Sequence, residues 1–473
     1  LRQGGRLEEA KDAFRQALAR CPTLGEAAVN LGQLLEREEN YGEARANYEL
    51  AAKCAPPIPE AYFGLGSLCF RQRRFSEAER HLKKALFLRP DSFPGWHDLG
   101  NAQRMQNHFG EALESYRRAL ALKPDSAEIQ VNLANLYRAQ NKLTEAAEAC
   151  HRALALSPEL AQAHINLSIV ELVAGNLREG WLHGEYRLRL ECDDIGLHLD
   201  RPLWNGTDPI RGKNMLLHGE QGLGDTLHFV RYVSQVAACG ARIHLMVQRP
   251  LASLVAASYP SLESVIPLGD PMPEFDFHCP LASLPRIFGT ELSNIPAPVP
   301  YLRVPGEKAE RARNILGVRG ERELRVGLVW AGNASHANDM NRSIPLQDIR
   351  GLLEQRPGVH FYALNKGVSA ADREALAGLP QVTNLAPQLG DFADTAAFLE
   401  QMDLAVSVDT SVAHLAGALG KRLWLLLPFS PDWRWLLARD DSPWYPSARL
   451  FRQPTTGDWG AVIRRVKMEL AAL

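Results

Sequence analysis

Cysteine is scarce and scattered: Cys21, Cys54, Cys69, Cys150, Cys192, Cys239 and Cys279, with no Cys-x-x-Cys pair among them. Such spacing supplies neither a zinc site nor a disulfide framework and suits a reducing compartment, so the expected location is cytoplasmic. Excess charge is missing too. Lys plus Arg number 53 against 55 for Asp plus Glu, a formal −2, which argues against nucleic-acid binding and against adhesion to anionic membranes. No run approaches the ~18–20 apolar residues of a transmembrane segment, and no secretory signal is visible. After residue 200 there is no Asp-x-Asp pair, so a metal bridge to phosphates lacks its usual carboxylates and no metal is expected. What is present is an ordinary globular composition, 46% hydrophobic and 23% charged over 473 residues. That length exceeds what one hydrophobic core covers, so two or three domains are expected.

Periodicity is the strongest positive signal. Pro22, Pro56, Pro90, Pro124 and Pro158 are each 34 residues apart, and the same step relates Leu31, Leu65, Leu99, Leu133 and Leu167. Gly32, Gly66, Gly100, Ala134 and Ser168 keep one position small. Each period reads as two helices joined by a tight turn such as Gln106-Asn107-His108, with proline ending the second helix because it lacks an N–H. The pattern resembles the tetratricopeptide repeat. Residues 1–23 read as the second helix of a repeat whose first helix is absent, so the natural N-terminus is expected upstream. Stacked pairs of this kind form a superhelix whose groove takes a protein or peptide. Asn30, Asn101, Asn132, Asn135 and Asn166 either clamp an extended backbone there or form a solvated face.

Beyond about residue 190 the texture changes to short apolar runs alternating with helices. Strands are expected at 214–218, 242–247, 275–278, 325–330, 360–364, 404–408 and 423–427, and helices at 225–238, 251–258, 307–316 and 459–473. That alternation implies parallel sheets with right-handed crossovers. The expected organisation is a repeat superhelix (1–190), a linker (191–212), a first Rossmann-like domain (213–305), a connecting helix (306–324) and a second Rossmann-like domain with a C-terminal helix (325–473).

Ligands of open parallel sheets bind at the carboxyl ends of strands. The loop after the first strand, Gly219-Glu220-Gln221-Gly222-Leu223-Gly224-Asp225, has three glycines that let backbone approach a ligand. Its Gly-x-x-Gly-x-Gly spacing is not the dinucleotide fingerprint, and the next strand ends Val247-Gln248 without an acid, which excludes NAD. Asp225 is read either as a helix N-cap or as a general base facing a cleft. A second loop, Asp409-Thr410-Ser411, opens a helix carrying His414 and forms a natural phosphate cradle. A third stretch, from Trp330 to Leu346, contains Asn333 and Arg342; Lys366 follows another strand. Both cations serve either phosphate or solvent.

Asp409-Thr410-x-x-x-His414-Leu415-Ala416-x-x-Leu419-Gly420 resembles the donor-binding helix start of glycosyltransferase-B enzymes related to bacterial ADP-heptose transferases. Together with Gly222-x-Gly224-Asp225 and Pro431-Asp432-Trp433-Arg434-Trp435, the repeats make the chain similar to bacterial tetratricopeptide–glycosyltransferase fusions. The resemblance implies an α-solenoid followed by an α/β glycosyltransferase-B fold. It implies Asp225 as base, with Gln221, Gly222 and Gly224 on the acceptor side. Donor binding falls to Asn333, Arg342, Lys366, Asp409, Thr410, Ser411 and His414. The substrate is then a nucleotide-diphosphate sugar, with no cofactor, and transfer is metal-independent and inverting. The family pattern has glycine where this chain has Ser411. Trp433 and Trp435 wall a pocket or pack under a loop. The acceptor is a protein held by the repeats; the alternatives are a non-catalytic scaffold and a transferase acting on a lipid-linked or polysaccharide acceptor.

Overall fold

The computed structural model describes residues 2–190, 199–321, 323–336, 338–353, 358–367 and 370–473. Leu1 and residues 191–198 of the expected linker lie outside them. The chain forms two compact units, Leu1–Asn166 and Leu167–Leu473. No helix among the described residues is long and apolar enough to cross a membrane.

The first unit is helical: α1 (Arg2–Arg20), α2 (Gly25–Arg37), α3 (Tyr41–Ala52), α4 (Pro59–Arg71), α5 (Phe75–Leu88), α6 (Phe93–Met105), α7 (Phe109–Leu122), α8 (Ala127–Ala139) and α9 (Leu143–Leu156). The helix α10 (Ala161–Ala174) follows. Each periodic proline stands just past the end of α1, α3, α5, α7 or α9. The small position is small because helices meet there: a Cβ on Gly100 would lie 2.5 Å from the ring of Tyr116. The turn between the two helices of a repeat passes through the left-handed region at the same phase, at Glu39 (φ 60), Arg73 (φ 59), Asn107 (φ 61) and Asn141 (φ 57). Ser92 and Ser126, one period apart, cap α6 and α8 by accepting from Gly95 and Ile129 amides.

Three of the five groove asparagines turn out to bind the array itself. Asn132 Nδ2 and Asn101 Nδ2 lie 2.7 and 3.1 Å from His97 Nε2, and Asn101 Oδ1 accepts from the Tyr116 hydroxyl. Asn166 is buried and donates to the Val131 carbonyl. Their side chains bond other residues of the array, so for these three neither the backbone clamp nor the solvated face describes the structure.

The second unit contains α11 (Leu177–Gly184) and two parallel sheets. The first sheet runs β1 (Asn214–His218), α12 (Leu223–Phe229), α13 (Val233–Ala238), β2 (Arg242–Val247), α14 (Ala252–Ser258), β3 (Ser264–Pro267), β4 (Phe277–Pro280) and α15 (Leu284–Ile287). After α16 (Gly306–Leu316) the second runs β5 (Leu324–Val329), α17 (Asp339–Arg342), α18 (Leu346–Ile349), β6 (Val359–Ala363), α19 (Ala370–Ala377), β7 (Val382–Asn384) and α20 (Phe392–Glu400). It closes with β8 (Leu404–Val408), α21 (Ser411–Ala418), β9 (Leu423–Leu427), β10 (Ala448–Arg452) and α22 (Trp459–Ala471). The spatial orders are β3-β2-β1-β4 and β7-β6-β5-β8-β9-β10. Both are Rossmann orders, and each reverses direction beside its first strand, between β1 and β4 and between β5 and β8. β8, which flanks the second reversal, and its neighbour β9 have no exposed residue.

The expected single helix over 225–238 is broken. It starts at Leu223, and a 3-10 turn (Val230–Tyr232) separates α12 from α13. Arg231 turns inward there, and its Nε donates to the His228 carbonyl at 2.8 Å, occupying an acceptor the helix would use. Outside the sheet's own strands, Pro202 and Trp204 bond the backbone of His278, so this segment runs along the free side of β4.

Candidate functional site

The site is built from the two reversal points. Asp409 follows β8, and Thr410 is the N-cap of α21. The Thr410 hydroxyl pairs with Ser407 Oγ at 3.3 Å, so no side chain caps the helix. From the loop after β5, Arg342 Nη1 donates to the Asp409 carbonyl at 3.1 Å. Arg342 is steadied by Asp339, 3.4 Å away, whose Oδ1 also accepts from Ser343. The order of β5 and β8 therefore brings two candidate residues together that lie 67 positions apart.

The first sheet contributes α12. Asp225 is at its third position rather than at the cap: Gly222 is the N-cap, and its amide donates to Asp225 Oδ2 at 3.0 Å. The other oxygen, Oδ1, accepts from Arg434 Nη2 at 2.5 Å. Gly224 must lack a side chain, because a Cβ there would lie 2.9 Å from the His414 ring and 3.5 Å from Ser411 Cα. The Gly-x-Gly-Asp loop and the donor-type loop thus pack directly against each other.

Arg434 is the residue that sequence reasoning missed. Its side chain is 5% exposed, donates to Asp432 Oδ1 at 2.9 Å as well as to Asp225, and lies over the rings of Trp433 and Phe229. Burial opposes its charge, but Asp432 and Asp225 outweigh burial and hold the guanidinium protonated. Asp409 is affected differently. Burial, reinforced by the Asp432 carboxylate, pushes its carboxyl up to about 7 against the Trp435 indole, Arg434 and Arg342.

Beneath these charges Tyr445 stands between two histidines. Its hydroxyl lies 3.0 Å from His414 Nδ1 and 3.1 Å from His228 Nδ1. Burial, with Arg434 and Arg231 nearby, holds both imidazoles well below their usual range, so both are neutral. One hydroxyl proton serves one ring, and the other ring must donate to the oxygen. Trp435 stacks on His414, and Trp433 meets Trp181 and Trp444 edge to face. Both tryptophans are buried, so of their two readings packing is what the structure shows.

The structure brings Asp225, Gly224, Arg342, Asp409, Thr410, Ser411 and His414 together. Asn333 is exposed and accepts from the Ser335 amide, next to Gly332, which packs against Arg342; the Lys366 ammonium is turned to the Gly390 carbonyl at 2.6 Å. Gln221 is exposed, and its carbonyl accepts from Gln248. The signal for Arg434 was present in Pro431-Asp432-Trp433-Arg434-Trp435, but its pairing with Asp225 spans 209 residues. No local pattern encodes such a contact.

Residues 1–57, 31–93 and 97–177 match the tetratricopeptide repeat family, and residues 350–427 match glycosyltransferase family 9 (heptosyltransferase). Tetratricopeptide repeats and a segment similar to glycosyltransferase family 9 share this chain. Its architecture is accordingly an α-solenoid followed by a glycosyltransferase-B-like α/β region, within which residues 350–427 are similar to glycosyltransferase family 9. The family 9 span contains Lys366 and Asp409 to His414, whereas Asp225, Arg342 and Arg434 lie outside it. Protein FlbA of Caulobacter vibrioides is 26% identical over 326 residues, 64% of this chain and 54% of that protein. The chain thus spans about half the length of this curated relative. Among solved structures, YrrB, a tetratricopeptide protein with an unusual peptide-binding site, is 20% identical over 39% of this chain and 94% of its own, with a TM-score of 0.33. MamA is 21% identical over 35% and 98% respectively, with a TM-score of 0.31.

Proposed function

We propose that the family 9 unit transfers a sugar from a nucleoside-diphosphate donor, by a single inverting displacement, to an acceptor that the repeats recruit. The observation that carries this reading is the packing of Gly224, next to Asp225, against Ser411 and His414 of the helix start that follows Asp409, with Arg434 bonded to Asp225. In the reaction an acceptor hydroxyl oxygen bonds to the anomeric carbon, the carbon–oxygen bond to the diphosphate breaks, and the diphosphate leaves with the electron pair. The hydroxyl proton passes to Asp225. A carboxylate offers about four lone-pair sites, and Arg434 and the Gly222 amide use two, so Asp225 retains acceptor capacity. Arg342 and the amides opening α21 would hold the departing charge, an electrostatic contribution present before reaction begins. The acceptor is expected to be a protein, since tetratricopeptide arrays are binding surfaces.

The Asp225–Arg434 pair also favours a second reading, in which the pair is only a latch and the unit binds nucleotide without turning it over. Asp225→Asn separates the two. As base, Asp225 is expected to contribute at least about 100-fold to diphosphate release from a sugar nucleotide, with nucleotide affinity retained. Full turnover by the variant would remove Asp225 from the chemistry.

A further inference from the structure

The reversal point of the first sheet is already filled, and it is filled from outside the sheet. A 3-10 turn, Glu185–Arg189, follows α11 and projects Arg187 between the loops after β1 and β4. Its Nε and Nη2 donate to Glu220 Oε1 at 3.0 and 2.7 Å, and Nη2 also reaches Ser283 Oγ at 2.7 Å. Its Nη1 donates to the Gly184 carbonyl and to Glu185 Oε1 at 3.0 and 2.7 Å. The network closes on itself. Ser283 Oγ donates to Glu185 Oε1 at 2.9 Å, and Arg286 Nε lies 3.2 Å from Glu185 Oε2. The Arg187 and Glu220 side chains are 16% and 10% exposed. Breaking such a pair leaves a charge largely cut off from water.

Glu220 stands on the loop that carries Asp225, five positions away. A cavity of about 10 Å³, the size of one water, is lined by Gly219, Glu220, Gln221, Asp225 and Thr226, and the buried Thr226 hydroxyl beside it has no partner. The guanidinium, not a ligand, occupies the place where parallel sheets usually bind one.

We propose that Arg187 is a positioning residue for the Asp225 loop. By tying the loop after β1 to the loop after β4, it fixes the backbone from which Asp225 meets the acceptor hydroxyl. The turn that ends the repeats is thereby a working part of the acceptor side. This inference rests on the reading of Asp225 as base, and its test keeps the two apart.

The test uses the full chain with Arg187→Lys, Arg187→Met and the double variant Arg187→Met/Glu220→Gln, which removes the stranded carboxylate and protects the fold. Hydrogen exchange over residues 219–227 is expected to accelerate at least about tenfold in the folded double variant, while β8 and β9 stay unchanged. Diphosphate release from ADP-glucose, UDP-glucose and GDP-mannose gives the second readout. The expected split is a kcat at least about tenfold lower with donor KM within about twofold, and partial retention of kcat by Arg187→Lys. Unchanged exchange over 219–227 overturns the proposal, as does a raised KM with kcat intact. If Asp225→Asn keeps full turnover while exchange accelerates, the tie stands and the base assignment fails. If none of the three donors is turned over, exchange alone decides.

Discussion

At the residue scale the site is organised by charge. Asp225, Asp339, Asp409 and Asp432 surround Arg342 and Arg434, so acids outnumber bases. Burial and then the Asp432 carboxylate push the Asp409 carboxyl up to about 7. A carboxyl raised on folding binds its proton more tightly in the native state, so stability falls as pH rises from about 4 through 7. Asp409→Asn is accordingly expected to stabilise the protein at pH 8, with the gain shrinking as pH drops below 7, read from denaturation midpoints at several pH values. A nucleoside diphosphate brings further negative charge to the same place. Its affinity is expected to be higher at pH 6 than at pH 8 in the unsubstituted chain and nearly level in Asp409→Asn. The loop around Asp409 was legible in the sequence because its chemistry is contiguous. Arg434, Tyr445 and His228 were not, since their partners lie on the other sheet and chain distance hides them.

At the scale of elements, what was legible followed from burial. Fully buried strands such as β8 and β9 announce themselves as apolar runs. The strands that escaped notice, β3, β7 and β10, are the edges of their sheets. β3 and β7 are short and partly solvated, and β3 ends in proline, so they carry little periodic signal, whereas in β10 two arginines interrupt the apolar run. The repeats were readable for the opposite reason: the same packing constraint recurs in every period. Their turns show a cost of that repetition. Glu39 adopts φ 60, a conformation that suits asparagine or glycine. Glu39→Gly is expected to relieve the strain and stabilise the array by about 0.5–1 kcal/mol, checked by the urea midpoint at constant slope. A destabilised variant would mean that the glutamate makes up for its backbone through contacts.

At the scale of the molecule, the proposed nucleotide site and the proposed acceptor-recruiting repeats fall in separate compact units, Leu167–Leu473 and Leu1–Asn166. A nucleoside diphosphate is expected to stabilise the second unit by about 2.7 kcal/mol at a hundredfold excess over Kd. Hydrogen exchange should show the protection confined to that unit. Because no Asp-x-Asp pair follows residue 200, the same stabilisation is expected in EDTA; its loss on chelation would show that a divalent ion accompanies the nucleotide.

The short stretch from Pro202 to Trp204 has an effect out of proportion to its length. By bonding to His278 along β4 it blunts one border of the first sheet. A bare border of backbone amides and carbonyls invites a strand from another copy, the first step towards insoluble fibres. Pairing that border within the chain removes one such template.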